Sequence, residues 1–116
     1  MTPKVFASGI MRGVIDENVS IYRDLFAKTS ASEASDPYWR RALALFSSLT
    51  EEQRSILFEV MRQVRVDTAS NILGILDGVN SIDGGEADFT LLSATGQKLN
   101  GDLQSLFLVE GESIPR

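Results

Sequence analysis

Residues 50–79 read TEEQRSILFEVMRQVRVDTASNILGILDGV, and this stretch decides the fold. Thr50 can accept from the first free backbone N–H groups of a helix, and Gln53 can reach back to the N–H of Thr50, the capping-box pattern. Glu51 and Glu52 place negative charge where the helix dipole is positive. Ile56, Leu57, Val60, Met61, Val64, Ile72, Ile75, Leu76 and Val79 then recur at three- and four-residue steps, which puts them on one face. The pattern predicts a long helix, the spine of a small domain.

Two further helices are signalled upstream. Thr2-Pro3 is a cap followed by proline at the first helical position, where a missing N–H costs nothing. The helix it opens carries one apolar stripe of Phe6, Ile10, Val14, Ile21, Tyr22 and Leu25. Beside it lies a second stripe of Met11, Ile15, Val19 and Phe26. Asp36-Pro37 repeats the start signal, and Ser47-Ser48-Leu49 runs straight into the Thr50 cap, so a tight turn joins two neighbouring helices. After the spine, two glycines and several polar residues make 80–86 a loop. Residues 88–92 and 98–100 read as a minor β element around a turn at Thr95-Gly96-Gln97, and Leu103, Leu106 and Phe107 mark a short last helix.

The expected fold is therefore mainly α. A three-helix bundle over residues 2–28, 37–48 and 51–79 is followed by a short C-terminal β element and a short final helix. The domain is single: residues 1–79 form the bundle, residues 80–110 dock on it, and residues 111–116 fray. The large apolar residues between Phe89 and Leu108 are too many for a free tail.

Composition narrows the chemistry. The 116 residues contain no cysteine and no histidine. The usual zinc ligands, the Ser–His and Cys–His nucleophile pairs and an imidazole base are thereby removed. Only carboxylate or arginine chemistry is left to an enzyme, so catalysis is disfavoured, and no cofactor or metal is expected. The net charge is −5, and the whole excess falls after Leu76. That balance speaks against nucleic acid, which needs a basic surface. No apolar run approaches the roughly 20 residues of a membrane span, and Met1-Thr2-Pro3-Lys4 does not open a secretory signal. A cytoplasmic protein is the expectation.

Four groups of residues are candidate sites. On a helical wheel centred on Leu57, Thr68 and Asn71 fall on the apolar face with Asp67 at its edge. These residues, with Arg40 or Arg41 and with Asn18 from the first helix, either tie the core together or line a ligand pocket. The pairs Gly9…Gly13 and Gly74…Gly78 each allow a second backbone to approach closely, and Gly78 also suits a helix C-terminal cap. The acidic loop of Asp77, Asn80, Asp83, Glu86 and Asp88 has oxygen ligands in the wrong order for an EF-hand, so it reads as solvated. Tyr38-Trp39-Arg40-Arg41 has the composition of an interface hot spot, or of an anchor for the second helix.

The function expected is a small acidic protein-interaction or regulatory protein without catalytic activity, for instance an immunity- or antitoxin-like inhibitor of a basic partner. The alternative is a helical domain that binds a small molecule, or a carboxylate/arginine enzyme, with its polar pocket around Asp67 and Asn71. The expected partner is a protein, first of all a second copy. The dimer contact would be Met11, Ile15, Val19, Tyr22 and Phe26, with Gly9 and Gly13 allowing close approach.

Overall fold

Thr50 Oγ1 accepts from Gln53 N at 3.1 Å, and Gln53 Oε1 accepts from Thr50 N at 2.9 Å. Both arms of the capping box therefore open α4, Glu51–Leu76. The computed structural model describes residues 1–85 and 88–112. Its other helices are α1 (Pro3–Ile10), a π-helical segment (Met11–Asp16), α2 (Glu17–Lys28), α3 (Pro37–Ser48) and α5 (Leu103–Glu112). Helical backbone angles at Ile10, Met11, Asp16 and Glu17 join the first three into one rod. The protein is mainly helical, with 67% of it in helix. Thr2 and Asp36 cap the rod and α3, with proline next in line at both starts.

The rod lies antiparallel to α4. Arg23 stacks on Phe58, Asp16 pairs with Arg62, and Met11 and Ile15 share a core with Val66 and Leu73. The apolar interior is split in two. At one end Phe26, Leu43, Phe46 and Phe58 form an aromatic cluster that Tyr22, Trp39, Leu57 and Met61 flank, with the Phe26 and Phe46 rings 4.6 Å apart. At the other end Ala7, Met11, Ile15, Val66, Leu73, Leu103 and Phe107 are buried together. α3 builds the first cluster and α5 the second, so no single core runs the length of three helices.

Several expectations change here. Among the described residues there is no strand. The expected β element reduces to one antiparallel bridge, Leu92 to Lys98, because Asn100 takes up Leu91 N (2.8 Å) and Phe89 O (2.7 Å) that a ladder would have used. α4 ends at Leu76 rather than Val79. Gly78 has φ +78° there, and Val79 N and Asn80 N both turn back to Gly74 O, the left-handed ending that glycine permits. The helix expected to stop before 111 continues to Glu112, while 113–116 and Glu86 of the acidic loop lie outside the described residues.

The α4 stripe also divides. Its most buried positions are Phe58, Val66, Ser70, Leu73 and Gly74, whereas Ile56, Val60, Val64, Ile72 and Val79 are at least half exposed. On the rod, the stripe expected to be free is the one that is covered. Met11, Ile15, Val19 and Phe26 are buried within the chain, and Val14, Ile21 and Leu25 face outward. Gly9 and Gly13 have nothing within 4 Å of where a Cβ would stand, so no backbone approaches them. Gly74 is crowded instead: a Cβ there would lie 2.8 Å from Gln104 Nε2 and 2.9 Å from Asn80 Cγ.

The two glycines should answer alanine oppositely. Gly9→Ala is expected to stabilise by up to about 1 kcal/mol, the helix-propensity difference, and Gly74→Ala to destabilise, both read from urea midpoints. Phe107, fully buried, should cost about 3–5 kcal/mol on truncation to alanine. An unchanged melting temperature for Phe107→Ala would show that α5 is peripheral.

Candidate interaction surface

α3 and α5 meet α4 on different sides. α3 reaches Arg54, Leu57, Phe58 and Met61: Arg54 Nε donates to Phe46 O at 3.0 Å and its guanidinium lies over the Phe46 ring. α5 reaches Val66, Ser70, Leu73, Gly74 and Asp77, with Gln104 Nε2 donating to Ser70 O at 3.1 Å. At about 100° per residue these two sets are centred roughly 150° apart around α4. The rod sits between them, so the rod–α4 pair presents two flanks. α3 covers one flank at one end, and α5 covers the other flank at the other end.

Each flank is thus left half open, and the two open halves differ in chemistry. Beyond α3, the α4 row that starts with Leu57 and Met61 continues through Val64, Thr68, Ile72 and Ile75. Val64 is 58% exposed and Ile72 is 55% exposed. On the rod Val14, Asn18, Ile21 and Leu25 recur at four-, three- and four-residue steps, all exposed, with Ile21 and Leu25 toward the end that α3 occupies. On the α5 flank the corresponding open positions of α4 are Glu52, Ser55, Glu59 and Gln63, a polar row. Water solvates the second half without cost. The first half leaves the apolar side chains of Val64 and Ile72 exposed.

Between the bare row and α2 lies Arg65. Its guanidinium stands 4.7 Å from the centre of the Tyr22 ring, an arrangement that draws a cation over an aromatic face. Its Nη1 is buried and has no hydrogen-bond partner among the described residues. The neighbouring Arg62 is satisfied by contrast, donating from Nε to Asp16 Oδ1 at 3.2 Å. Arg12 pairs with Glu110 at 2.7 Å.

The polar residues singled out from the sequence do not converge on an enclosed cavity. Asp67, Thr68 and Asn71 stand on exposed helix surface. Asp67 accepts from Gln63 Nε2 at 2.9 Å, Thr68 Oγ1 donates to Val64 O at 2.7 Å, and the Asn71 carbonyl accepts from Asn80 Nδ2 at 3.4 Å. Asn18 is exposed on the rod, and Arg40, at the start of α3, donates to the Ala34 carbonyl. Of the Tyr38-Trp39-Arg40-Arg41 run, Trp39 enters the aromatic cluster 5.1 Å from Phe26, and Tyr38 stays exposed.

Asp77, read as part of a solvated loop, does something else. Its carboxylate accepts from Gly101 N (2.6 Å), Leu103 N (3.1 Å) and Gln104 N (2.8 Å), so it caps α5 from 24 or more residues away. Among the described residues no group of three acidic side chains is placed to hold a metal ion, and no helix is long and apolar enough to cross a membrane.

Sequence reasoning missed the open half-flank and Arg65. A signal for the first was present: the α4 stripe runs to Val79, and a helix of 12 residues such as α3 cannot follow it that far. Compared with family models, with curated proteins and with solved structures, the chain matches none.

Replacing Asp77 by alanine should cost about 1–2 kcal/mol, the usual worth of a helix cap. It should also speed amide exchange at Gly101, Leu103 and Gln104 ahead of the rest of the chain. Exchange unchanged at those three amides would show that the cap does not hold α5.

Proposed function

We propose that this chain is a non-catalytic protein-interaction protein, and that it docks its partner on the open half-flank of Val64, Thr68, Ile72, Val14, Asn18 and Ile21. The observation that carries the reading is the contrast between the two open halves. They arise from the same geometry, yet one is mainly polar, with Ile56 at its edge, and the other is mainly apolar, and an exposed apolar row of this kind suits a partner.

The polar side chains support the same reading. Asp77, Asn80, Asn100 and Gln104 make bonds within the chain that cap α5 or fasten the segments around it, and Asp67 and Thr68 bond to residues of their own helix. A carboxylate or arginine enzyme would gather such groups around a concave site.

A photo-crosslinking residue in place of Ile72, and separately in place of Ser20 on the polar flank, tests the assignment in cells that make the protein. The expected result is a protein adduct from position 72 and none from position 20. Absence of any adduct at 72 would end this reading.

A further inference from the structure

The surface area of the chain points to what covers the open half-flank. A compact monomer of 12.7 kDa exposes about 6,200 Å2, whereas this chain exposes 7821 Å2. The surplus is about 1,600 Å2. Its radius of gyration is 17.5 Å, against about 13 Å for a compact domain of this length. Obligate homodimers bury about 1,000–2,500 Å2 on each chain, so the surplus, to which the elongated shape of the chain contributes, is large enough to include one such interface.

Charge narrows the occupant further. The chain carries −5, so two copies repel until salt screens them and meet most readily where their surfaces are locally neutral. The open half-flank is such a place: between Val64 and Ile75 the charged residues of α4 are Arg65 and Asp67, one of each sign. A surface built to take a strongly acidic or basic partner would carry an excess of the opposite charge. One apolar row bordered by a donor and an acceptor suits a copy of itself, which is the requirement of a two-fold interface.

Resting on the interaction reading above, we infer that the partner is a second copy of this chain, paired flank to flank through Val64, Thr68 and Ile72 of each α4. The stripe of Met11, Ile15, Val19 and Phe26, buried within each chain, is not part of this interface.

Sedimentation at tens of micromolar decides between the outcomes. The wild type should sediment at twice 12.7 kDa. Val64→Glu and Ile72→Glu replace residues that are more than half exposed in the single chain, so they leave its fold intact, as circular dichroism would verify. Each should weaken the dimer by about 100-fold or more, because like charges meet across the two-fold. Ser20→Glu, on the polar flank, should leave it unchanged. A monomeric wild type would overturn the second copy, and a crosslink from position 72 to a different protein would then keep the interaction reading standing. A dimer indifferent to both glutamates would overturn this flank as its contact.

Discussion

The structure follows from a mismatch of lengths. α4 has 26 residues, and α3 and α5 have 12 and 10, which makes the spine about 39 Å long and its two neighbours about 18 and 15 Å. Neither short helix can cover a flank of the long one. They settle at opposite ends and on opposite flanks, and the interior divides into an aromatic cluster and a mainly aliphatic one. The middle of the molecule is bridged by cations: Arg62 on Asp16 and Arg65 over Tyr22. The extended shape, 49 by 33 by 24 Å, is a consequence of that arrangement.

What holds α5 in place is mostly polar. The C-terminus of α4 leaves carbonyls without helical partners, and the N-terminus of α5 leaves N–H groups without them. Two side chains serve both ends. Asn100 Nδ2 donates to Leu76 O at 2.6 Å, and Asp77 gathers the N–H groups of Gly101, Leu103 and Gln104. A carboxylate at the end of its own helix is disfavoured by the dipole of that helix; laid against the start of another, it is favoured. Gly74 lets Asn80 and Gln104 sit close against the α4 backbone. Leu103 and Phe107 then bury fully in the groove that this fastening creates.

The starts of the helices and the glycine that turns the chain after α4 were legible because they are local. Thr50 with Gln53, Thr2 with Pro3, Asp36 with Pro37, and Gly78 each act within a few residues. The π segment was not legible, and it decides which stripe of the rod becomes core. Ala7, Met11, Ile15 and Val19 are four residues apart, and in a regular α-helix they would drift by about 120° from first to last. A π turn absorbs one extra residue, which removes about 100° of that drift, so all four turn to the buried side of the rod. The competing stripe of Val14, Ile21 and Leu25 is turned outward by the same step. The Asp77 and Asn100 ties were equally hidden, since each joins residues at least 24 apart through bonds that no local pattern announces. For the candidate site, Thr68 and Asn18 were noticed as polar residues on apolar faces. Their setting was missed, because which half of a face is covered depends on where a short helix docks.

Two deficits coincide at one place on the molecule. Apolar side chains at Val64 and Ile72 have no cover, and beside them a buried guanidinium nitrogen of Arg65 has no acceptor among the described residues. Either alone has an ordinary explanation: single apolar residues are common on protein surfaces, and an arginine over an aromatic ring is partly compensated by that ring. The polar half-flank makes the coincidence informative. There Glu52, Ser55, Glu59 and Gln63 show what the same helix carries when its open side faces water. The sequence of α4 thus changes character between its two open halves, from Glu52, Ser55, Glu59 and Gln63 to Val64, Thr68 and Ile72. That change lies in residues that the interior of the single chain does not need.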